Sequence, residues 1–87
     1  RQVQFSKDAR LEFHKAKCLM DFNDKAQEFW LDVDRQIEFI RKFPYAFEIR
    51  YKNVRVVALE NFNFSIHYII ETNGVMVLRF LNQKQDF

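Results

Sequence analysis

The sequence predicts an α+β fold of order β-α-α-β-β-β-β, with an N-terminal helical hairpin packed on one face of an antiparallel sheet. Three observations carry that prediction. From Val54 to Asn82 every other residue is apolar over most of the length, the period-two pattern of half-buried strands. Asn73-Gly74 divides the last two runs and marks a hairpin, because both residues tolerate a positive φ. Ahead of them, residues 7–42 space their apolar positions in threes and fours, as amphipathic helices do.

Each element follows from its own residues. Gln2 to Phe5 alternates polar and apolar and predicts a short first strand. Ser6 reads as a helix N-cap, its hydroxyl placed for the free amides of the first turn. Ala9, Phe13, Ala16, Leu19 and Met20 then predict a helix from about Lys7 to Phe22, with Lys7, Arg10, His14 and Lys17 on its wet side. Asn23-Asp24 breaks the pattern, and either residue can cap a second helix. Its stripe runs through Ala26, Phe29 or Trp30, Val33, Ile37 and Ile40. Pro44 ends it, since proline pushes the preceding residue out of helical backbone. So short a break between two long helices makes an antiparallel pair.

Ala46 to Tyr51, Val54 to Leu59, Phe62 to Ile70 and Val75 to Asn82 read as four strands. Turns fall at Lys52-Asn53, Glu60-Asn61 and Asn73-Gly74. Phe62, Phe64, Ile66, Tyr68 and Ile70 share one face and are assigned to the helices. Asn63, Ser65, His67, Ile69 and Glu71 share the other, open to water. In that register Arg79 lies opposite Tyr68 on the buried face, which calls for a splayed strand end, a snorkelling side chain or a bulge.

The 87 residues make one domain, 1–87, with little stability in reserve. The 14 Lys and Arg against 12 Asp and Glu leave +2, which by itself does not point to nucleic acid. Eleven Phe, three Tyr and one Trp are many for a core this small, and they suggest a stable protein partner. The single Cys18 excludes an internal disulfide. Nothing resembles a signal peptide or an apolar run long enough to cross a membrane, so the cytoplasm is the expected compartment.

No metal or cofactor is expected: His14 and His67 are far apart in sequence and neither shows a paired-ligand spacing. Cys18 sits at helical spacing and reads as a small buried thiol. Glu28, Asp32, Asp34 and Glu38 fit a solvated, salt-bridged helix face better than an acid–base pair. Arg50, Lys52, Arg55, His67, Arg79 and Lys84 are spread over the strands. They suit either a phosphate cradle or the protection of sheet edges and the anchoring of an acidic partner.

Together the order of elements and the residues resemble the RelE/ParE superfamily, bacterial toxins of type II toxin–antitoxin modules, including those that stabilise plasmids. The resemblance runs through Phe5-Ser6 and Ala9, Glu12-Phe13 and Ala16, Ala26 and Phe29, and Phe43-Pro44. It continues through Phe47 to Tyr51, Val54-Arg55, Phe62 to Tyr68, and Val77 to Leu81 with Asp86. It implies a toxin neutralised by a cognate antitoxin in a hetero-oligomer.

Two activities accompany that resemblance: ribosome-dependent mRNA cleavage in RelE-like members and inhibition of DNA gyrase in ParE-like ones. Carried over by position, Arg55 alone matches the basic set of the nuclease branch; Val57, Ser65 and Gln83 stand where other cations are expected. The expectation is therefore a ParE-like toxin acting by protein binding and not as an enzyme. The alternatives are a nuclease, or a non-toxic relative that only binds the antitoxin. Asn82 stands where the family usually has His, and Phe87 where it often has Pro. Arg55, His67, Arg79, Asn82 and Lys84 are the candidates for target binding. Trp30, Leu31 and Phe39, beside or outside the core stripe, are the candidates for antitoxin binding.

Overall fold

The structure, a computed structural model, describes residues 2–83. The chain forms β1 (Gln2–Phe5), α1 (Lys7–Phe22), α2 (Ala26–Lys42), β2 (Ile49–Tyr51), β3 (Val54–Ala58), β4 (Phe64–Glu71) and β5 (Gly74–Asn82). The strands make one sheet in the order β1-β5-β4-β3-β2, and both helices lie over one face of it. The predicted α+β order holds, with one refinement. β1 pairs with β5 in parallel, so the sheet is mixed and only its other four strands are mutually antiparallel. The helical hairpin is a connection long enough to bring the chain back in the same direction.

Ser6 caps α1 as expected: its Oγ accepts from Ala9 N at 3.0 Å. The same hydroxyl donates to Leu78 O at 2.6 Å, which ties the helix start to β5. Neither Asn23 nor Asp24 caps α2. Asn23 instead closes α1, donating from Nδ2 to Leu19 O at 3.1 Å, and Asp24 takes the left-handed φ of 59° that turns the chain. Lys25 stands at the N-cap of α2 with no side-chain cap bond. Around Pro44 the chain leaves the helix, and Tyr68 Oη donates to Pro44 O at 2.6 Å. Burial pushes the Tyr68 hydroxyl up to about 12, against the lowering charge of Arg55. β2 is shorter than the predicted Ala46–Tyr51 strand.

The core is largely aromatic. Phe80 stacks on Phe13 at 4.1 Å and on Phe64 at 4.9 Å, while Phe29 meets Phe62, Phe64 and Phe80 edge to face. Each such pair adds about 0.5–1.5 kcal/mol beyond the area it buries. Two residues of α1 depart from expectation. Leu19 is exposed, because Met20 takes the inward place at that turn. Cys18, two residues before Met20, points the opposite way and is exposed too.

The β4–β5 hairpin turns one residue earlier than its Asn-Gly pair suggests. Glu71 pairs with Gly74, which makes Thr72-Asn73 the turn. Gly74 is needed for a different reason: a Cβ there would lie 2.1 Å from Gln2 O on the neighbouring β1. Farther along, Tyr68 pairs with Val77 but His67 with Arg79, so Leu78 is the extra residue of a β-bulge. Of the three ways to accommodate Arg79, the bulge is the one the chain uses. It keeps Phe80 opposite Ile66 in the core and turns Arg79 to the open side.

Candidate functional site

The open face of the sheet holds His67 at its centre, between Val56 on β3 and Arg79 on β5. Although no helix covers this face, His67 is 0% exposed. Tyr51 Oη and His67 Nδ1 share a hydrogen bond of 2.9 Å. Burial holds the imidazole below its ordinary value. The charge of Arg79 pushes the same way, Glu12 opposes it, and Arg50 adds a lesser lowering effect. The ring is therefore neutral at pH 7.

Arg79 is not a free cation. Its Nε donates to both Glu12 carboxylate oxygens, at 3.1 and 2.9 Å, and its guanidinium meets Oε2 again at 2.5 Å. Glu12 also accepts from Phe80 N at 2.9 Å. That backbone group lies beyond the end of β1, on a stretch of β5 that pairs with β4 on one side only, so α1 caps the other edge with a side chain. Burial raises the Glu12 carboxyl. The hydrogen bond from Arg79, the Phe80 amide and the Arg79 charge together outweigh it and leave the group below its ordinary value.

Arg55 is not on this face. It pairs with Tyr68, which places it on the helix side, and its Nη1 donates to Phe47 O at 2.6 Å. Its guanidinium lies 5.2 Å from the centre of the Tyr45 ring. Asn82 is half-buried at the end of β5, opposite Phe64. Lys84 lies outside the described residues, as do Asp86 and Phe87. The four described target-binding candidates are thus not gathered into one cationic surface. Arg50 in β2 and Lys52 in the turn after it are exposed, as is Arg79, which Glu12 holds.

The antitoxin-binding candidates divide in two. Trp30 is half-buried, stacked on Phe13 at 6.1 Å and edge-on to Phe29 at 5.2 Å. It lines a mostly apolar cleft with Phe5, Phe13, Val33 and Ile37, flanked by Arg10 and Asp34. Leu31 and Phe39 point outward from α2, 57% and 45% exposed. Phe39 packs on Phe43 and Phe47, and with Tyr45 and Ile49 these form an apolar surface from the end of α2 to β2.

Sequence reasoning missed two carboxylates. Asp32, assigned to the solvated face, is 1% exposed; its two oxygens accept from Glu60 N at 3.2 Å and Asn61 N at 2.7 Å. It anchors the β3–β4 turn to α2. The Glu38 assignment holds, with Arg41 and Lys42 as its partners. Glu12 went unassigned because its partner is 67 positions away, and no local spacing announces such a pair.

No protein-family model matches the chain, and no curated protein matches it. Among solved structures it is similar to a chain of the "Chromosomal ParDE TA system from P. aeruginosa", with a TM-score of 0.69 at 13% identity. The match covers 93% of this chain and 94% of that one. The fold is the RelE/ParE-like one: a helical hairpin over one face of a small sheet whose other face stays open. Among the described residues no helix is long and apolar enough to cross a membrane.

Proposed function

We propose that this chain is the toxin of a bacterial type II toxin–antitoxin module, of the ParE-like kind. It acts in the cytoplasm by binding a protein target, with DNA gyrase the leading candidate. The observation that carries this reading is the shared fold with a chain of a ParDE TA system over nearly the whole length. The state of the open face supports binding over phosphate chemistry: Arg79 is held by Glu12, His67 is buried and neutral, and Arg55 is on the other side. An antitoxin encoded beside it covers the exposed apolar side chains of α2, Leu31 and Phe39, and seats a side chain in the Trp30 cleft.

Induction in a bacterial host, with and without the product of the adjacent reading frame, tests this. Arrested growth with cleaved DNA and an SOS response, relieved by the neighbour, is the expected result. Harmless induction contradicts it and favours a non-toxic antitoxin-binding relative.

A second reading, the ribosome-dependent endonuclease, has one observation in its favour. Tyr51 and His67 form a hydrogen-bonded acid–base pair within the field of Arg50 and Arg79. It requires codon-specific cuts in translated mRNA that Tyr51→Phe abolishes.

A further inference from the structure

The outer side of α1 carries a pair of metal-ligating side chains that the toxin reading does not use. Cys18 is exposed, and its Sγ lies 3.8 Å from Nε2 of His14, one helical turn back. Residues four apart share one side of a helix, the spacing that lets two ligands reach one ion. Zinc held at about 2.3 Å from sulfur and about 2.0 Å from nitrogen, with tetrahedral angles, sets those two atoms about 3.5 Å apart. The pair already stands close to that bite, and small side-chain rotations close the difference.

Two ligands make half a site, since structural zinc takes four. Among the described residues no third His, Cys, Asp or Glu gathers with them. The order of side chains along the same stripe says what supplies the rest. Leu11, His14, Cys18 and Phe22 follow one another on this side of α1, with Leu11 52% and Phe22 88% exposed. The stripe reads nearly the same in both directions about Ala16. Two copies of α1 laid antiparallel across a two-fold axis therefore set His14 of one against Cys18 of the other, and Leu11 against Phe22.

Lys15 and Lys17 flank the two ligands on either side of the stripe and are exposed, with the exposed Asp21 a turn farther along, so the centre of the bare pairing brings like charges together. A divalent ion bound by two thiolates adds no net charge and supplies the attraction that the bare helices lack.

We propose that His14 and Cys18 form a half-site for a zinc-class ion, which bridges two copies of this chain through antiparallel α1 helices in a two-His, two-Cys tetrahedron. On binding, each thiol releases its proton to solvent as its sulfur takes up the metal. The surface is on α1, apart from Leu31 and Phe39 on α2 and from the sheet's open face, so the inference stands whether or not the toxin reading does.

Light scattering of the purified full chain, in a non-thiol reductant, with zinc or with EDTA, is the test. Zinc is expected to double the mass at one ion per two chains, and EDTA to return the monomer. Cobalt in place of zinc is expected to give the visible bands of tetrahedral thiolate coordination. Cys18→Ser and His14→Ala should each lose the dimer and the bands while circular dichroism and Tm stay unchanged, since both side chains are exposed. A chain that stays monomeric in equimolar zinc overturns the proposal. So does zinc binding at one ion per chain without a mass increase, or a dimer that survives EDTA or Cys18→Ser.

Discussion

The open face of the sheet and the outer side of the helical hairpin have exchanged the roles their composition suggests. The strands carry Arg50, Arg55, Arg79 and His67, yet among the described residues the middle of the open face offers no free cation: Arg79 is tied to Glu12, His67 is buried and Arg55 faces the helices. The helices are rich in Lys, Arg, Asp and Glu, yet Leu11, Leu19, Phe22, Leu31 and Phe39 stand in solvent on them. Charge on a strand becomes a binding surface only where the fold leaves it unsatisfied. The surface with unmet chemistry here is the helical one, and its unmet chemistry is apolar.

The largest expected effect lies on that side. Leu31→Asp and Phe39→Asp should each weaken binding of the adjacent frame's product by about 2 kcal/mol or more, roughly thirtyfold, as loss of a buried anchor does. Titration calorimetry reads the loss, and an unchanged Tm shows that the fold is intact. Equal affinity in both variants breaks the comparison by moving the contact off α2.

Glu12→Gln asks the same of the sheet side. Replacing the carboxylate removes the ion pair with Arg79 and weakens the cap on Phe80 N. With Arg79 partly in solvent, the loss is about 1–2 kcal/mol in urea unfolding. Because the folded carboxyl is held below its ordinary 4.5, its contribution is complete above that value and drains away as pH falls through the lowered one.

His67 adds a second window at higher pH. Its folded value lies below 6.5, so the unfolded chain binds the extra proton first. Stability is flat above that pH, falls as pH drops through the window and levels off below the folded value. Urea midpoints measured across this range should show the slope, and His67→Phe should flatten it. The smallest effect is Tyr51→Phe, which gives up one hydrogen bond, about 1 kcal/mol.

Much of the fold was legible because it is written in local patterns. Apolar spacing placed α1 between Lys7 and Phe22, Pro44 closed α2 and the alternation of β4 assigned its two faces. Leu31 and Phe39, the proposed antitoxin contacts, were legible as apolar residues off the core stripe, and both are exposed. What stayed hidden depends on residues distant in sequence. The parallel docking of β1 fixes Gly74 through Gln2, and the bulge at Leu78 decides which way Arg79 points. Asp32 looked solvated because four acidic residues share α2. Its burial follows from the Glu60-Asn61 turn folding back over the helix. Arg55 looked open because the alternation of β3 does not say which side the helices cover.

The central claim is action by protein binding and not by cutting RNA. Purified chain added to a gyrase supercoiling assay, beside a translation reaction with mRNA mapped for cleavage, tests it most directly. The account predicts supercoiling inhibited in proportion to the chain added, relieved by the antitoxin, with the mRNA intact. Codon-specific mRNA cuts with supercoiling unaffected would contradict it.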